Sequence, residues 1–368
     1  MGIGVTIGTG ITISSGVRVS GWTSFSGSIV IGSGSLTSGT PFVAAYTFSS
    51  QSGFGTKYSD PGTLPNGETK AVAFSRTGNA IILGGYSSPY VNAYQWTQAS
   101  GFGTKYDNPS VLPTNVTGLV FTPDGTAVIA SHSATLISAW TWNDSTGFGT
   151  KYSSPVSAPT IDGYGISISP NGDAVVVTTY ATPYVQAWTW NSSTGFGTKY
   201  SQPATVPTGN STAVKFSPVG DSIAVGHAIS PYISAYPWSY ASGYGAKYSN
   251  AASSPPTSSA QELAFNSTGS VLAMAGSGTS ANYVRAWAWN SSTGFGTAYS
   301  APATTPTGNS FGIDFTYADD AVAVAHDNSP YVTAYPWNNS PGFGTKYSDP
   351  VTLPTYNSNA VAFSPWPG

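Results

Sequence analysis

Three histidines recur at one position of an internal repeat and are the most site-like residues of the sequence. Each stands where a predicted strand B runs out into the B–C loop, Tyr86 and Tyr180 are assigned to that same position in two other copies, and Tyr232 is a further aromatic of these loops. Such rings could form shallow pockets on one face that bind sugars, or they could hydrogen-bond each loop to the next repeat. The candidate ligand residues are Tyr86, His132, Tyr180, His227, Tyr232 and His326.

A metal site is not expected at these histidines. His132, His227 and His326 belong to alternate repeats, so their side chains should lie too far apart to share one ion at ligand distances of about 2 Å. The chain has no cysteine, which removes thiolate ligands, thiol nucleophiles and disulfides. We therefore predict neither a metal nor a cofactor.

The acidic residues cluster once, at Asp314, Asp319, Asp320 and Asp327. Asp319 and Asp320 fall in a predicted turn, whereas Asp327 falls in the loop after the next strand, about 16 Å away. Glycoside hydrolysis needs two carboxylates at one site, and these should lie on opposite faces. No Ser-His-Asp order, P-loop, His-Glu-x-x-His or EF-hand loop is present. The sequence thus predicts no catalytic residue and no enzymatic activity.

Charge is scarce along the whole chain. Of 368 residues, 11 are Lys or Arg and 14 are Asp or Glu, so the net charge is -3. So few cations cannot neutralise a phosphate backbone, and we predict no nucleic-acid partner. No apolar run reaches the 18 or more residues of a membrane span, so we predict no membrane insertion. Aromatic residues make up 14% of the chain, enough for an ordered core.

A hexapeptide, Gly-Phe-Gly-Thr-Lys-Tyr or a near-copy, organises the chain. Its seven copies start at Gly53, Gly101, Gly147, Gly195, Gly243, Gly294 and Gly342. Each period holds three further strand-like pieces, and no stretch has a helical periodicity. Four strands in a repeat of this length indicate a propeller blade. We predict an all-β fold, a seven-bladed β-propeller with four-stranded blades over residues 27–368.

The two ends of the chain predict how the ring closes. The first repeat has no strand A, whereas the last adds one at residues 360–363. We therefore expect the C-terminal strand A to pair with the N-terminal strand B at residues 28–31, which leaves no open edge inside the ring.

Recurring side chains of the repeat have structural interpretations. Strand C carries an alanine in every copy and a tryptophan in six, with Phe48 in the first, as close packing of neighbouring sheets requires. The hexapeptide lysine recurs in six copies and is Ala298 in the other. We interpret it as protection of the exposed edge strand D against pairing with other chains.

Residues 1–26 differ from the repeats. Apolar-x-apolar triplets recur there every six residues with glycine in register, as in a parallel β-helix. We predict a Gly/Ile/Thr-rich β arm that docks on neighbouring chains or intertwines with other copies. The N-terminus has no signal-peptide pattern.

Several runs carry a family resemblance: Ser-Pro-Tyr-Ile-Ser-Ala-Tyr-Pro-Trp at 230–238, its counterpart at 329–337, the hexapeptide followed by Ser, and Ala-Val-Ala-Phe-Ser. Over about residues 27–366 the chain resembles WD40-like propeller proteins of marine tailed bacteriophages, although the Gly-His and Trp-Asp pairs of true WD40 repeats are missing.

The resemblance implies a non-enzymatic virion structural protein, either a capsid decoration or a tail or fibre component, that stabilises the particle or adheres to the host. Its implied partners are other virion proteins, contacted through residues 1–26, and host surface glycans. It would be multicopy or homo-oligomeric and located in the virion, after synthesis in the host cytoplasm. The alternatives are a lectin-like carbohydrate-binding propeller and, third, a propeller glycosidase or lyase.

Overall fold

The strands form a ring of seven antiparallel sheets, each with four strands. The structure is a computed structural model that describes residues 24–34, 41–158 and 161–365. Each sheet is one blade, and the arrangement is a seven-bladed β-propeller, as the repeat predicts. The predicted arm at residues 1–26 lies outside the described residues except for its last three, and its docking stays a prediction.

Strands A to D run from the ring axis outward in every blade. In blades 1 to 7, strand A is β28 (Ser358–Phe363), β4 (Thr69–Phe74), β8 (Val116–Phe121), β12 (Gly163–Ile168), β16 (Ser211–Phe216), β20 (Ala260–Phe265) and β24 (Ser310–Phe315). Strand B is β1 (Ser26–Ser33), β5 (Ala80–Gly85), β9 (Ala127–His132), β13 (Ala174–Thr179), β17 (Ser222–His227), β21 (Val271–Gly276) and β25 (Ala321–His326).

The outer strands follow in the same blade order. Strand C is β2 (Val43–Ser49), β6 (Val91–Thr97), β10 (Leu136–Asn143), β14 (Val185–Asn191), β18 (Ile233–Ser239), β22 (Val284–Asn290) and β26 (Val332–Asn338). Strand D is β3 (Gly53–Lys57), β7 (Gly101–Lys105), β11 (Gly147–Lys151), β15 (Gly195–Lys199), β19 (Gly243–Tyr244), β23 (Gly294–Ala298) and β27 (Gly342–Phe343). One helical turn, α1 (Ser280–Tyr283), precedes strand C of blade 6.

Ring closure follows the prediction from the chain ends. The C-terminal β28 pairs antiparallel with the N-terminal β1, and Val30 lies opposite Ala362. Phe25, just before β1, is fully buried against Phe48 and Phe363. The closing blade thus has a continuous aromatic core built from both ends of the chain.

The hexapeptide joins each blade to the next through aromatic contacts. The buried Trp190 packs edge-on against Phe196 of its own strand D and Tyr152 of the preceding blade, with ring centroids 4.9 and 5.1 Å apart. The Tyr152 hydroxyl donates a hydrogen bond to the Ser192 carbonyl. Gly195 has φ +85°, and a Cβ there would lie 2.9 Å from the Tyr152 ring.

The same tyrosine bond is present at all seven junctions. The donors are Tyr58, Tyr106, Tyr152, Tyr200, Tyr248, Tyr299 and Tyr347. The hexapeptide lysines lie on the outermost strands or within three residues after them, and Lys57, for example, forms an ion pair with Asp60 at 2.5 Å. The sequence motif is therefore a junction between blades as well as an edge strand.

Candidate functional site

The innermost strands line a channel of about 560 Å³ along the ring axis. We call the end at which strand A begins and strand B ends the mouth, and the end at which strand A runs into the A–B turn the base. Neighbouring A strands approach closely, since a Cβ on Gly312 would lie 2.9 Å from the Ala360 Cα. Glycine at this point of the strand therefore allows the main chains to approach, and polar, aliphatic and aromatic side chains line the rest of the channel.

Both lysine–glutamate ion pairs of the described residues lie at this channel. The chain has only two glutamates, and six of its eight lysines belong to the hexapeptide. The other two lysines lie on strand A, and each pairs with one of the glutamates. Lys70 Nζ lies 2.6 Å from Glu68 Oε1 near the mouth, and Lys215 Nζ lies 3.3 Å from Glu262 Oε1 nearer the base.

Asp314 is the only carboxylate at the fifth position of strand A, a position that Lys215 holds two blades earlier. The remaining blades carry uncharged residues there, namely Ala73, Val120, Ser167, Ala264 and Ala362. Asp314 is half-buried and lines the channel, and its Oδ2 accepts a hydrogen bond of 2.9 Å from the Phe363 main-chain N–H.

Burial raises the pKa of Asp314 to about 6. Main-chain hydrogen bonds from Phe363 and Phe315 and the positive charge of Lys215 oppose that rise, whereas Glu262 adds to it. Asp314, Lys215 and Glu262 thus form one electrostatic group across the A strands of blades 5, 6 and 7. A carboxylate with this pKa is ionised at neutral pH and is a stronger base than an exposed aspartate.

Three tyrosines line the mouth of the channel: Tyr86, Tyr164 and Tyr180. The rings of Tyr164 and Tyr180 stack with centroids 3.6 Å apart and planes 9° apart. Lys70 Nζ lies 5.3 Å from the centre of the Tyr86 ring. Burial and neighbouring charges raise the pKa of Tyr164 to about 12, so its hydroxyl group stays protonated near neutral pH.

Lys70 and Tyr164 depart from the structural use of their strand position. At the second position of strand A, Thr117, Thr212 and Asn359 donate side-chain hydrogen bonds of 2.6 to 3.1 Å to the first carbonyl of the neighbouring A strand. Lys70 and Tyr164 occupy that position in blades 2 and 4 and lie in the channel lining. Gln261 and Phe311 hold the same position in blades 6 and 7, and these four side chains also line the channel.

The structure buries the three candidate histidines inside the blades. His132, His227 and His326 are at most 2% exposed. Their Nε2 atoms lie 2.8 to 3.0 Å from the hydroxyls of Ser138, Ser234 and Thr333. Burial lowers the pKa of His227 and of His326 to about 4, so these rings are neutral near pH 7. They tie strand B to strand C and do not form a ligand face.

The register separates these histidines from the tyrosines that the sequence placed beside them. His132 is the last residue of strand B and pairs with Val116, just as Gly85 pairs with Thr69. Tyr86 and Tyr180 come one residue later. Side chains alternate along a strand, so an offset of one residue changes the side on which they point. The histidines therefore lie inside the blade while the two tyrosines reach the channel.

Tyr232 belongs to neither group. It shares its place in the B–C loop with Tyr90, Tyr184 and Tyr331, all of which have positive φ. It is half-buried, and its carbonyl accepts a 2.8 Å hydrogen bond from the His227 N–H. Tyr232 is thus a loop residue that the structure does not bring to Tyr86 and Tyr180.

The acidic cluster divides as its spacing predicts. The Asp319 carboxylate accepts a hydrogen bond of 2.6 Å from the Ser267 N–H, and the Asp320 carboxylate accepts one of 2.6 Å from the Phe25 N–H. Both lie near the A–B turns. Asp327 accepts from Asn309 Nδ2 at 2.9 Å at the opposite end of strand B. Asp314 alone lies in the channel, where the sequence did not predict a site. Its signal was a carboxylate at a strand position that is uncharged in five of the seven blades.

Metal-binding clusters and membrane-spanning helices are both absent from the part of the chain that the structure describes. No group of three His, Asp or Glu side chains in the described ranges is placed to hold a metal ion. No helix within the same ranges is long and apolar enough to span a membrane.

Comparisons with known proteins bear on the fold. No family model matches the chain, and no curated protein matches it. Among solved structures, a protein from Bacteroides fragilis provisionally named a 6-phosphogluconolactonase is similar at a TM-score of 0.74 and 11% identity, over 92% of this chain and 98% of that one.

Two other solved structures are similar to the same extent. One, provisionally named a 6-phosphogluconolactonase from Bacteroides uniformis, has a TM-score of 0.73 and 14% identity, over 92% of this chain and 99% of that one. The other is a periplasmic gluconolactonase from Pseudomonas aeruginosa, with a TM-score of 0.71 and 11% identity over the same shares. At these identities the likeness shows the fold alone.

These findings correct the functional prediction. The sequence-based prediction of a non-enzymatic virion protein, with its lectin-like alternative, is contradicted because the similar solved structures carry lactonase names. The resemblance rested on repeat motifs such as the hexapeptide, and the structure explains these as blade junctions. Motifs that build a propeller do not specify where the protein acts.

Proposed function

We propose that this chain is a hydrolase of sugar lactones and that its reaction takes place in the central channel. The observation that carries the proposal is the group formed by Asp314, Lys215 and Glu262, a base of raised pKa beside an ion pair in a cavity. The names of the structurally similar proteins support the choice of reaction, because both kinds of name denote hydrolysis of a gluconolactone.

The size and polarity of the channel fit a substrate of this class. A volume of about 560 Å³ lies in the usual range of small-molecule sites. The lining offers hydroxyl, amide, carboxylate and ammonium groups from Thr117, Thr212, Gln261, Glu262 and Lys215. A polyhydroxylated ring needs several such donors and acceptors to replace its hydrogen bonds with water.

Asp314 acts as the general base in the proposed reaction. A water molecule hydrogen-bonded to the Asp314 carboxylate attacks the lactone carbonyl carbon, and Asp314 takes the proton that the water loses. The bond between the carbonyl carbon and the ring oxygen then breaks. The proton passes to the departing ring oxygen, which becomes a hydroxyl, and the product is the open-chain sugar acid.

Lys215 stabilises the negative charge that develops on the carbonyl oxygen during this attack. Its ammonium group is held by Glu262 at 3.3 Å, which restrains an otherwise flexible side chain. Glu262 is thus a positioning residue, and Lys215 and Asp314 are the groups that contact the reacting atoms.

The experiment is a lactone hydrolysis assay with the purified full chain. Proton release from glucono-δ-lactone is followed with a pH indicator, and the spontaneous rate is subtracted. We expect turnover by the wild type and a fall in kcat of about 10²- to 10⁴-fold in Asp314→Asn, the usual contribution of a general base. Asp349→Asn is the matched control, because Asp349 pairs with Lys346 on the outer rim.

Two results would overturn the proposal. One is a wild-type rate equal to the spontaneous rate for both glucono-δ-lactone and its 6-phosphate. The other is an Asp314→Asn variant that is folded and as active as Asp349→Asn.

A further inference from the structure

We propose that the tyrosines at the channel mouth form a second sugar subsite, so that the preferred substrate is a lactone that carries another sugar ring. This inference rests on the proposed function and specifies its substrate class. The subsite consists of Tyr86, Tyr164 and Tyr180.

The spacing along strand A separates the mouth from the reacting group. Tyr164 is the second residue of β12, and Asp314 is the fifth residue of β24. Three residues of strand correspond to about 10 Å along the channel. One pyranose ring is too short to reach both places, whereas two linked rings can contact Asp314 at one end and the tyrosines at the other.

Exposed aromatic faces are the chemical basis for sugar recognition at the mouth. Tyr86 and Tyr180 remain 42% and 43% exposed, although both lie in the lining of a cavity. The face of a pyranose ring that bears C–H bonds is apolar and stacks on such rings, while its hydroxyl groups reach the polar surroundings. The stack of Tyr180 on Tyr164, at 3.6 Å, holds one of these surfaces in place before the ligand arrives.

Polar groups around the tyrosines can receive the hydroxyl groups of the second ring. Lys70 Nζ lies near both the Tyr86 ring and the Glu68 carboxylate, and Asn359 Nδ2 donates a hydrogen bond of 3.1 Å to the same carboxylate. This linked set offers both donors and acceptors without a strong net charge. Its chemistry suits neutral hydroxyl groups better than it suits an isolated anion.

The test compares one-ring and two-ring substrates on the full chain. Values of kcat/KM are measured for glucono-δ-lactone and for the gluconolactone that carries a β-1,4-linked glucose. We expect the wild type to prefer the two-ring lactone. In Tyr180→Leu, which keeps bulk and loses the aromatic face, the ratio of the two values should fall about tenfold.

The matched control is Tyr240→Leu. Tyr240 is 54% exposed and lies in the turn between strands C and D, away from the channel lining. Its substitution should leave the substrate ratio unchanged.

The outcomes separate the two proposals. If the one-ring lactone is hydrolysed with the predicted dependence on Asp314, but the ratio is the same in wild type and Tyr180→Leu, the subsite is refuted and the lactonase proposal stands. If neither of these lactones nor the 6-phosphate of glucono-δ-lactone is hydrolysed, both proposals fail.

Discussion

Strands C and D repeat nearly the same contacts in all seven blades, whereas strand A changes from blade to blade. In the outer region, a tyrosine from one blade contacts the Trp or Phe of the next and donates to its C–D turn at every junction. In the inner region, the fifth position of strand A holds alanine, valine, serine, lysine or aspartate. Repeated contacts build the ring, and the positions that break the repeat form the candidate site.

Trp190→Ala should break the outer region most severely. The change removes a buried ring that contacts both Tyr152 and Phe196, and it should lower the free energy of unfolding by about 3–5 kcal/mol. Urea denaturation measures the effect. Trp190→Phe is the control, since Phe48 fills this position in blade 1, and it should cost less. An unchanged denaturation midpoint in Trp190→Ala would contradict the packing account.

The buried histidines should make the blades sensitive to acid. His227 has a pKa of about 4 in the folded state, below the value near 6.5 of an unfolded chain. The unfolded state therefore binds the proton first, and stability falls as the pH drops from about 6.5 to 4. His227→Thr introduces the residue that blade 4 carries at this position, Thr179. The variant should lose on the order of 3 kcal/mol less of its free energy of unfolding than the wild type over this pH range.

Denaturation of both proteins at pH 7 and pH 4 tests this prediction. Equal losses of stability in His227→Thr and wild type would show that the ring is not held neutral by burial. Asp314 acts in the opposite direction in this pH range, so the comparison must be made against wild type at each pH.

Asp314→Asn should stabilise the protein, in contrast to the outer substitutions. The folded-state pKa of about 6 lies above the unfolded value of 3.8, so stability is lost as the pH rises through about 6. At pH 8 the neutral amide should raise the free energy of unfolding by up to about 3 kcal/mol relative to wild type. The difference should vanish near pH 4, and a variant that is less stable at pH 8 would argue that the carboxylate is needed for the fold.

Tyr152→Phe compares a junction tyrosine with a channel tyrosine through a smaller change in stability. It removes one hydrogen bond between blades and should cost about 1 kcal/mol. Tyr164→Phe, the matched change at the mouth, keeps the ring stack with Tyr180 and should cost less. The opposite order in thermal denaturation would remove the distinction between junction and site tyrosines.

The sequence predicts the ring well because blade structure depends on local patterns. The hexapeptide spacing counts the blades, and the missing first strand A predicts the pairing of β28 with β1. These features follow from alternation and turns within each repeat of the chain.

The channel site is harder to predict because its residues meet only after the ring closes. Asp314 stands beside Asp319 and Asp320 in sequence, but its electrostatic partners are Lys215 and Glu262 from two other blades. A one-residue error in aligning strand ends also grouped buried histidines with tyrosines that line the channel. Because successive side chains of a strand point to opposite sides of the sheet, an error of one residue assigns a side chain to the wrong side.

The pH profile of lactone hydrolysis tests the central claim most directly. If Asp314 is the base, kcat/KM for glucono-δ-lactone should rise with pH and level off above a pKa of about 6. Asp314→Asn should lose both the rate and this inflection while remaining folded. A wild-type profile without an inflection near that pH, or one that Asp314→Asn retains, would contradict the assignment of the channel as the active site.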